Sequence, residues 1–179
     1  MSDNNTLAEQ VSQTKTDLFS LSQQVNYDSY TGCMKKESFL DYLKDFIESN
    51  NKKNWIFQVT INITESMFKS VGILQLDLLY RDIISTLETD FGVNYDTISG
   101  LMASQSMIML CNDDVSDEII SDLNHILKTD YPEFEDLVCK VSGTIILPED
   151  SLPTALARLE FAQSQCKTSK GTNLCLITE

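Results

Sequence analysis

The run Trp55-Ile56-Phe57-Gln58-Val59-Thr60-Ile61-Asn62-Ile63 decides how the rest of the chain is read. Trp55, Phe57, Val59, Ile61 and Ile63 alternate with Ile56, Gln58, Thr60 and Asn62. That period of two sends successive side chains to opposite faces of a strand. Before it, Asn50-Asn51-Lys52-Lys53-Asn54 breaks a helix over 37–49 that carries Phe39, Leu40, Leu43, Phe46 and Ile47 on one face. After it, a long helix is predicted over 66–90, with Val71, Leu74, Leu78, Ile83 and Leu87 inward.

Further on, 96–100 and 106–111 form a candidate hairpin, 113–127 a helix, 137–147 a strand, 153–167 a helix and 173–178 a last strand. After two leading helices the order is therefore β-α-β-β-α-β-α-β. Hairpin pairing mixed with helical crossovers predicts an α+β fold, one mixed sheet flanked by helices.

Residues 1–26 differ from the rest, being rich in Gln, Ser, Thr and Asn and free of Gly and Pro. Leu7, Val11, Thr14, Leu18, Leu21 and Val25 step by 4, 3, 4, 3 and 4, the spacing of a heptad seam. The expected division is an N-terminal helix over 1–26, a coiled-coil stalk that dimerises the chain or joins it to an upstream module, and a domain over 27–179. The alternative is an amphipathic helix lying on its own domain.

Composition narrows the function. The chain has 179 residues, 13 Lys+Arg against 27 Asp+Glu, and a formal net charge of −14. Such charge disfavours nucleic acid and anionic lipid. No apolar run reaches the roughly 18–20 residues of a membrane span, so no direct membrane insertion is expected. The Met-Ser-Asp-Asn-Asn-Thr start lacks the basic and apolar regions of a secretory signal, giving a cytoplasmic expectation. Cys33, Cys111, Cys139, Cys166 and Cys175 are scattered, and with the single His125 they offer no zinc spacing. They read as reduced thiols, mostly small core residues.

Asp28-Ser-Tyr-Thr31-Gly32-Cys-Met-Lys-Lys36-Glu-Ser-Phe39 resembles the opening signature of GGDEF domains, the diguanylate cyclases, Asp-x-Leu-Thr-Gly-Leu-x-Asn-Arg-x-x-Phe. The likeness continues through Val59-Thr60-Ile61-Asn62 to Val71-Gly72-Ile73-Leu74-Gln75-Leu76-Asp77, where the family has Asp-x-Asp and then Asn-Asp-x-x-Gly-His-x-x-Gly-Asp. Val141-Ser142-Gly143, Leu159 to Lys167 and Gly171-Thr172-Asn173 resemble its closing motifs. What resembles the family is the scaffold, from Tyr27 to about Leu176.

The resemblance implies a site where two GTP molecules meet across a dimer and divalent ions stabilise phosphoryl transfer. The family's metal carboxylates fall on Thr60, with Asn62 at the second Asp, and on Ala103 in the signature turn Leu101-Met102-Ala103-Ser104-Gln105. Its guanine-reading Asn-Asp falls on Phe68 and Lys69, and its two glycines on Leu101 and Met102. Neither 55–64 nor 97–111 contains an Asp or Glu, so neither strand offers magnesium a charged ligand. The family's inhibitory Arg-x-x-Asp falls at Gly92-Val93-Asn94-Tyr95. Lys167 and Lys170 stand where the family contacts phosphate, which leaves residual phosphate contact there as an option.

Rival signals are better read as structure. Asp113-Asp114-Val-Ser-Asp117 matches a prenyl-diphosphate string but suits the acidic start of a helix, with Asp114 as cap. Glu133, Glu135 and Asp136 lack the spacing of a calcium loop. Met107 and Met109 share one strand face, which leaves Leu101 and Met102 as the contact candidates for a protein partner. The expectation is a catalytically inactive GGDEF-like signalling and interaction domain, with no cofactor and no metal, self-associating through Leu7, Val11, Leu18, Leu21 and Val25. The alternatives are a non-catalytic sensor of GTP or a cyclic dinucleotide and, last, an active cyclase.

Overall fold

The computed structural model describes residues 3–50, 52–62, 65, 68–69, 72–129, 137–167 and 171–178, without the side chains of 3–11 and 18–20. Ile63, Val71, Lys170, Glu133, Glu135, Asp136 and the start of the helix expected at 66 lie outside the described residues.

The elements are α1 (Asp3–Asn26), β1 (Met34–Lys35), α2 (Lys36–Ser49), β2 (Asn54–Asn62), α3 (Ile73–Tyr95), β3 (Ile98–Ala103), β4 (Ser106–Cys111), α4 (Ser116–Thr129), β5 (Val138–Ile146), α5 (Leu152–Gln165) and β6 (Gly171–Ile177). They build one mixed six-stranded sheet in the order β1-β3-β4-β2-β5-β6. β1–β3 and β5–β6 are parallel and the other pairs antiparallel. The two-residue β1 is absent from the sequence reading; so short a strand carries no periodicity.

β2 lies inside the sheet with helices on both faces. Phe57, Val59 and Ile61 join Met107, Met109, Cys139 and Val141 in a core under α3 and α4. Ile56 joins Ile108, Leu110 and Ile146 in a second core under α2 and α5. Met107 and Met109 thus share one buried face, as the alternation predicts. Gly100 lets α2 settle on β3, since a Cβ there would lie 2.1 Å from Phe39 Cγ.

α3 corrects the sequence reading in phase and length. Its buried stripe is Leu76, Tyr80, Ile83, Ile84, Leu87 and Phe91, while Leu74 and Leu78, expected inward, are exposed. The helix passes the expected end at 90 because Phe91 and Tyr95 continue the stripe and the Tyr95 hydroxyl donates to Asp122 Oδ2 at 2.7 Å. It stops at Asp96, which adopts a left-handed conformation. The positions matched to Arg-x-x-Asp, 92–95, are its last turn.

At the start of α4, Asp114 Oδ1 accepts the Ser116 N–H at 3.1 Å, with Asp117 and Glu118 in the first turn. That is the capping role expected of Asp114. At the other end of β5, Asp150 accepts the Leu147 N–H at 2.7 Å and pairs with Arg158 of α5, which docks that helix. Burial opposes ionisation of Asp150, but its hydrogen bonds from Arg158 and Leu147 and the guanidinium charge hold its carboxyl below the usual range.

Candidate functional site

Thr60 and Asn62 lie at the C-terminal end of β2, on the face that turns toward α2 and α5. Thr60 Oγ1 is 3.1 Å from Ser106 Oγ on β4, and Gln58 Nε2 donates to the same oxygen at 3.0 Å. On the other side of β2, Lys140 of β5 pairs directly with Thr60, so the two side chains share a face. Lys140 makes no ion pair among the described residues. Hydroxyls, amides and one ammonium therefore occupy this end of the sheet. A magnesium ion there would lack compensating negative charge and meet a lysine. Among the described residues no cluster of three or more His, Cys, Asp or Glu could hold a metal ion. The sequence reading missed Lys140, because only the β2–β5 register brings it to Thr60. Its one signal is a charge inside the apolar run Val138-Cys139-Lys140-Val141.

The hairpin corrects the expected position of the signature turn. Leu101, Met102 and Ala103 belong to β3, and the turn is Ser104-Gln105 alone, with Ala103 paired to Ser106. An irregularity between Leu101 and Ala103 absorbs the extra residue, a bulge that splits the neighbours between faces. Leu101 packs on the core under α3 and α4, and Met102 on the core under α2 and α5. Both are half-buried strand residues rather than the exposed tip of a turn.

A cavity of about 410 Å³ opens between the start of α3 and this turn, lined by Phe68, Ile73, Leu76, Asp77, Tyr80, Ser104 and Gln105. Its lining is mostly apolar, with Asp77, Tyr80, Ser104 and Gln105 as the polar residues. Phe68 is half exposed at the rim, and Lys69 is exposed and paired with Glu65 at 2.7 Å. Asp77 is an acid supplied by α3 rather than by either strand. Its carboxylate is 3.2 Å from Arg81 Nε, one helical turn on.

Arg81 also reaches back, its Nη1 lying 3.7 Å from Asp28 Oδ2. Asp28 Oδ1 accepts the N–H of Tyr30 at 3.2 Å, the N–H of Thr31 at 2.9 Å and the Thr31 hydroxyl at 3.0 Å. Gly32 closes the loop at φ +79°, a conformation costly for other residues. Burial opposes ionisation of Asp28, but the Thr31 bonds, the Arg81 charge and the Tyr30 bond together hold its carboxyl below the usual range. The Asp-x-x-Thr-Gly motif is thus a side-chain-locked turn linking the end of α1 to α3. Glu88 of α3 faces Gly32 from the other side, and burial pushes its carboxyl up.

α1 meets the domain at its last turn, where Lys35 Nζ donates to Gln24 O at 2.7 Å and Ser38 Oγ to Asn26 Oδ1 at 3.2 Å. The described side chains from Ser12 to Asp17 and from Leu21 to Val25 are exposed, with Leu21 at 55% and Val25 at 59%. A helix lying along its own domain would cover them. Leu7, Val11 and Leu18 lie on α1, but their side chains are outside the described ones. Lys167 is exposed just after α5. None of the helices is long and apolar enough to cross a membrane, among the described residues.

No protein-family model and no curated protein matches the chain. Solved structures do. The coiled coil and GGDEF domain of DgcB from Caulobacter crescentus, in complex with c-di-GMP, superposes at a TM-score of 0.71 and 13% identity over 98% of this chain and 100% of that one. Diguanylate cyclase SiaD from Pseudomonas aeruginosa, in complex with its activator SiaC, gives 0.69 and 12% over 98% of this chain and 70% of that one. The FimX GGDEF domain from Pseudomonas aeruginosa gives 0.64 and 12% over 86% and 99%. Sheet, flanking helices and leading helix therefore agree in one architecture, and the chain has the fold of GGDEF domains.

Proposed function

We propose that this chain is a catalytically inactive GGDEF-fold module that works in signalling by protein interaction, with α1 as its stalk. One observation carries the proposal: Lys140 of β5 pairs with Thr60, the residue the resemblance matches to a metal carboxylate, and the paired strands β2, β3 and β4 carry no acid around it. Phosphoryl transfer between nucleotides rests on positioning and on divalent charge, and this sheet end offers a lysine and no carboxylate beside Thr60.

The working part is then the link between stalk and domain. A change in how α1 is held acts on the Asp28 turn, through Arg81 on α3, and so on the helix that lines the cavity. Coupling of this kind needs differential contacts in two states. The exposed seam residues Leu21 and Val25, with Leu7, Val11 and Leu18 at the same spacing, suit a second copy or an upstream helix. Light scattering on the full chain and on a chain lacking residues 1–26 tests the stalk. A dimer that becomes a monomer supports it, and an unchanged mass contradicts it.

A second reading has its own support in the apolar cavity with Asp77 on its wall. A module without turnover could hold a nucleotide base there. Calorimetry with GTP and with cyclic di-GMP, each with and without magnesium, separates the two. Heat of binding that does not depend on magnesium favours sensing, and no heat favours protein interaction alone.

A further inference from the structure

Scattered in sequence, two of the five cysteines meet in space. Cys166 caps the C-terminal end of α5, and its buried thiol lies over the β5–β6 pair, 3.4 Å from Val141 O and 4.0 Å from Asn173 O. β6 alternates, and Thr172 donates its hydroxyl to Asn124 of α4 at 2.9 Å, so the even-numbered residues face α4. Asn173 and Cys175 therefore face α5. Cys175, paired with Ser142 of β5, is half-buried, and its thiol is within hydrogen-bonding reach of Cys166. Cys33, Cys111 and Cys139 are buried in the core under α3 and α4, on the other face of the sheet.

We propose that Cys166 and Cys175 form a peroxide-sensitive disulfide that fastens the end of α5 to the edge strand β6. The half-buried Cys175 is the sulfur a peroxide reaches first. Its thiolate attacks one peroxide oxygen, the O–O bond breaks, and one water leaves after protonation, with Cys175 as sulfenic acid. Cys166 then gives up its proton and attacks the Cys175 sulfur, the S–S bond forms, the S–O bond breaks, and a second water leaves. The two thiols supply the two electrons that reduce the peroxide. Burial, and the neighbouring Cys175, push the Cys166 thiol up to about 11, while the Lys140 ammonium works the other way. Cys166 is therefore a poor first nucleophile, and its place beside Cys175, not its acidity, gives it the resolving role. The bond joins the residue that ends α5 to the fifth residue of β6.

The test uses the full chain. Protein treated with hydrogen peroxide is denatured in iodoacetamide and digested with trypsin without reductant. Cleavage at Arg158, Lys167 and Lys170 puts Cys166 and Cys175 on separate peptides, 159–167 and 171–179. The proposal expects one joined species, lighter by two hydrogens than the sum of its halves. It separates on adding dithiothreitol and is absent from Cys166→Ser and from Cys175→Ser. Recovery of both peptides alkylated and unjoined after peroxide overturns the proposal. So does Cys175 joined to Cys139 or to a second chain, whether or not the serine variants fold.

Discussion

Arg81 and Arg158 each sit against carboxylates, Arg81 between Asp28 and Asp77 and Arg158 on Asp150, whereas Lys140 beside Thr60 meets none among the described residues. Arg158 and Lys140 mark the two ends of β5. At one end charge is matched and builds the scaffold. At the other a cation stands among Thr60, Asn62 and Ser106, where the resemblance implies acids. The Asp28 turn repeats the matched pattern at the foot of α1. Electrostatics thus support the parts that hold α1 to the domain, while the sheet end around Thr60 carries a lysine with no ion-pair partner among the described residues.

If that contrast is right, breaking a matched pair costs stability and altering the unmatched end costs little. Arg158→Ala leaves the nearly buried Asp150 without its partner, an expected loss of about 3 kcal/mol in urea denaturation. Asp28→Ala removes three hydrogen bonds and one ion pair at a partly buried site, about 2 kcal/mol at neutral pH. The Asp28 contribution is fully present above its ordinary value of 3.8 and is lost as pH falls through the depressed folded value. The gap between wild type and Asp28→Ala therefore narrows in acid. Thr60→Val loses one hydroxyl contact while Ser106 keeps the Gln58 donor, so its expected cost is below about 1 kcal/mol. A loss as large as that of Asp28→Ala would erase the contrast.

Glu88 gives the smallest and most directional effect. Burial raises its folded value above 4.5, so its favourable contribution is present below 4.5 and is lost as pH rises through the elevated value. Glu88→Gln is then more stable than wild type at neutral pH, by a few tenths of a kcal/mol, and equal to it below that range. Thermal denaturation across pH reads the crossover.

The β2 alternation and the order of elements are legible in the sequence because burial on a sheet leaves a period. β1 has two residues and leaves none. The phase of α3 was misread because Leu74 and Leu78 also recur at helical spacing, and only packing selects Leu76, Tyr80 and Ile84 instead. The turn was misplaced because a bulge at Met102 has no composition of its own. At the site, the absence of acids on two strands is visible as plain composition. Lys140 beside Thr60, Asp77 on the cavity wall and the Cys166–Cys175 contact depend on register and crossing, which a single sequence does not encode locally.

The central claim is tested most directly by incubating the full chain with GTP and magnesium and assaying cyclic di-GMP by mass spectrometry. The predicted result is none above a protein-free control. Dinucleotide that accumulates with time, and disappears in a magnesium chelator, would contradict it.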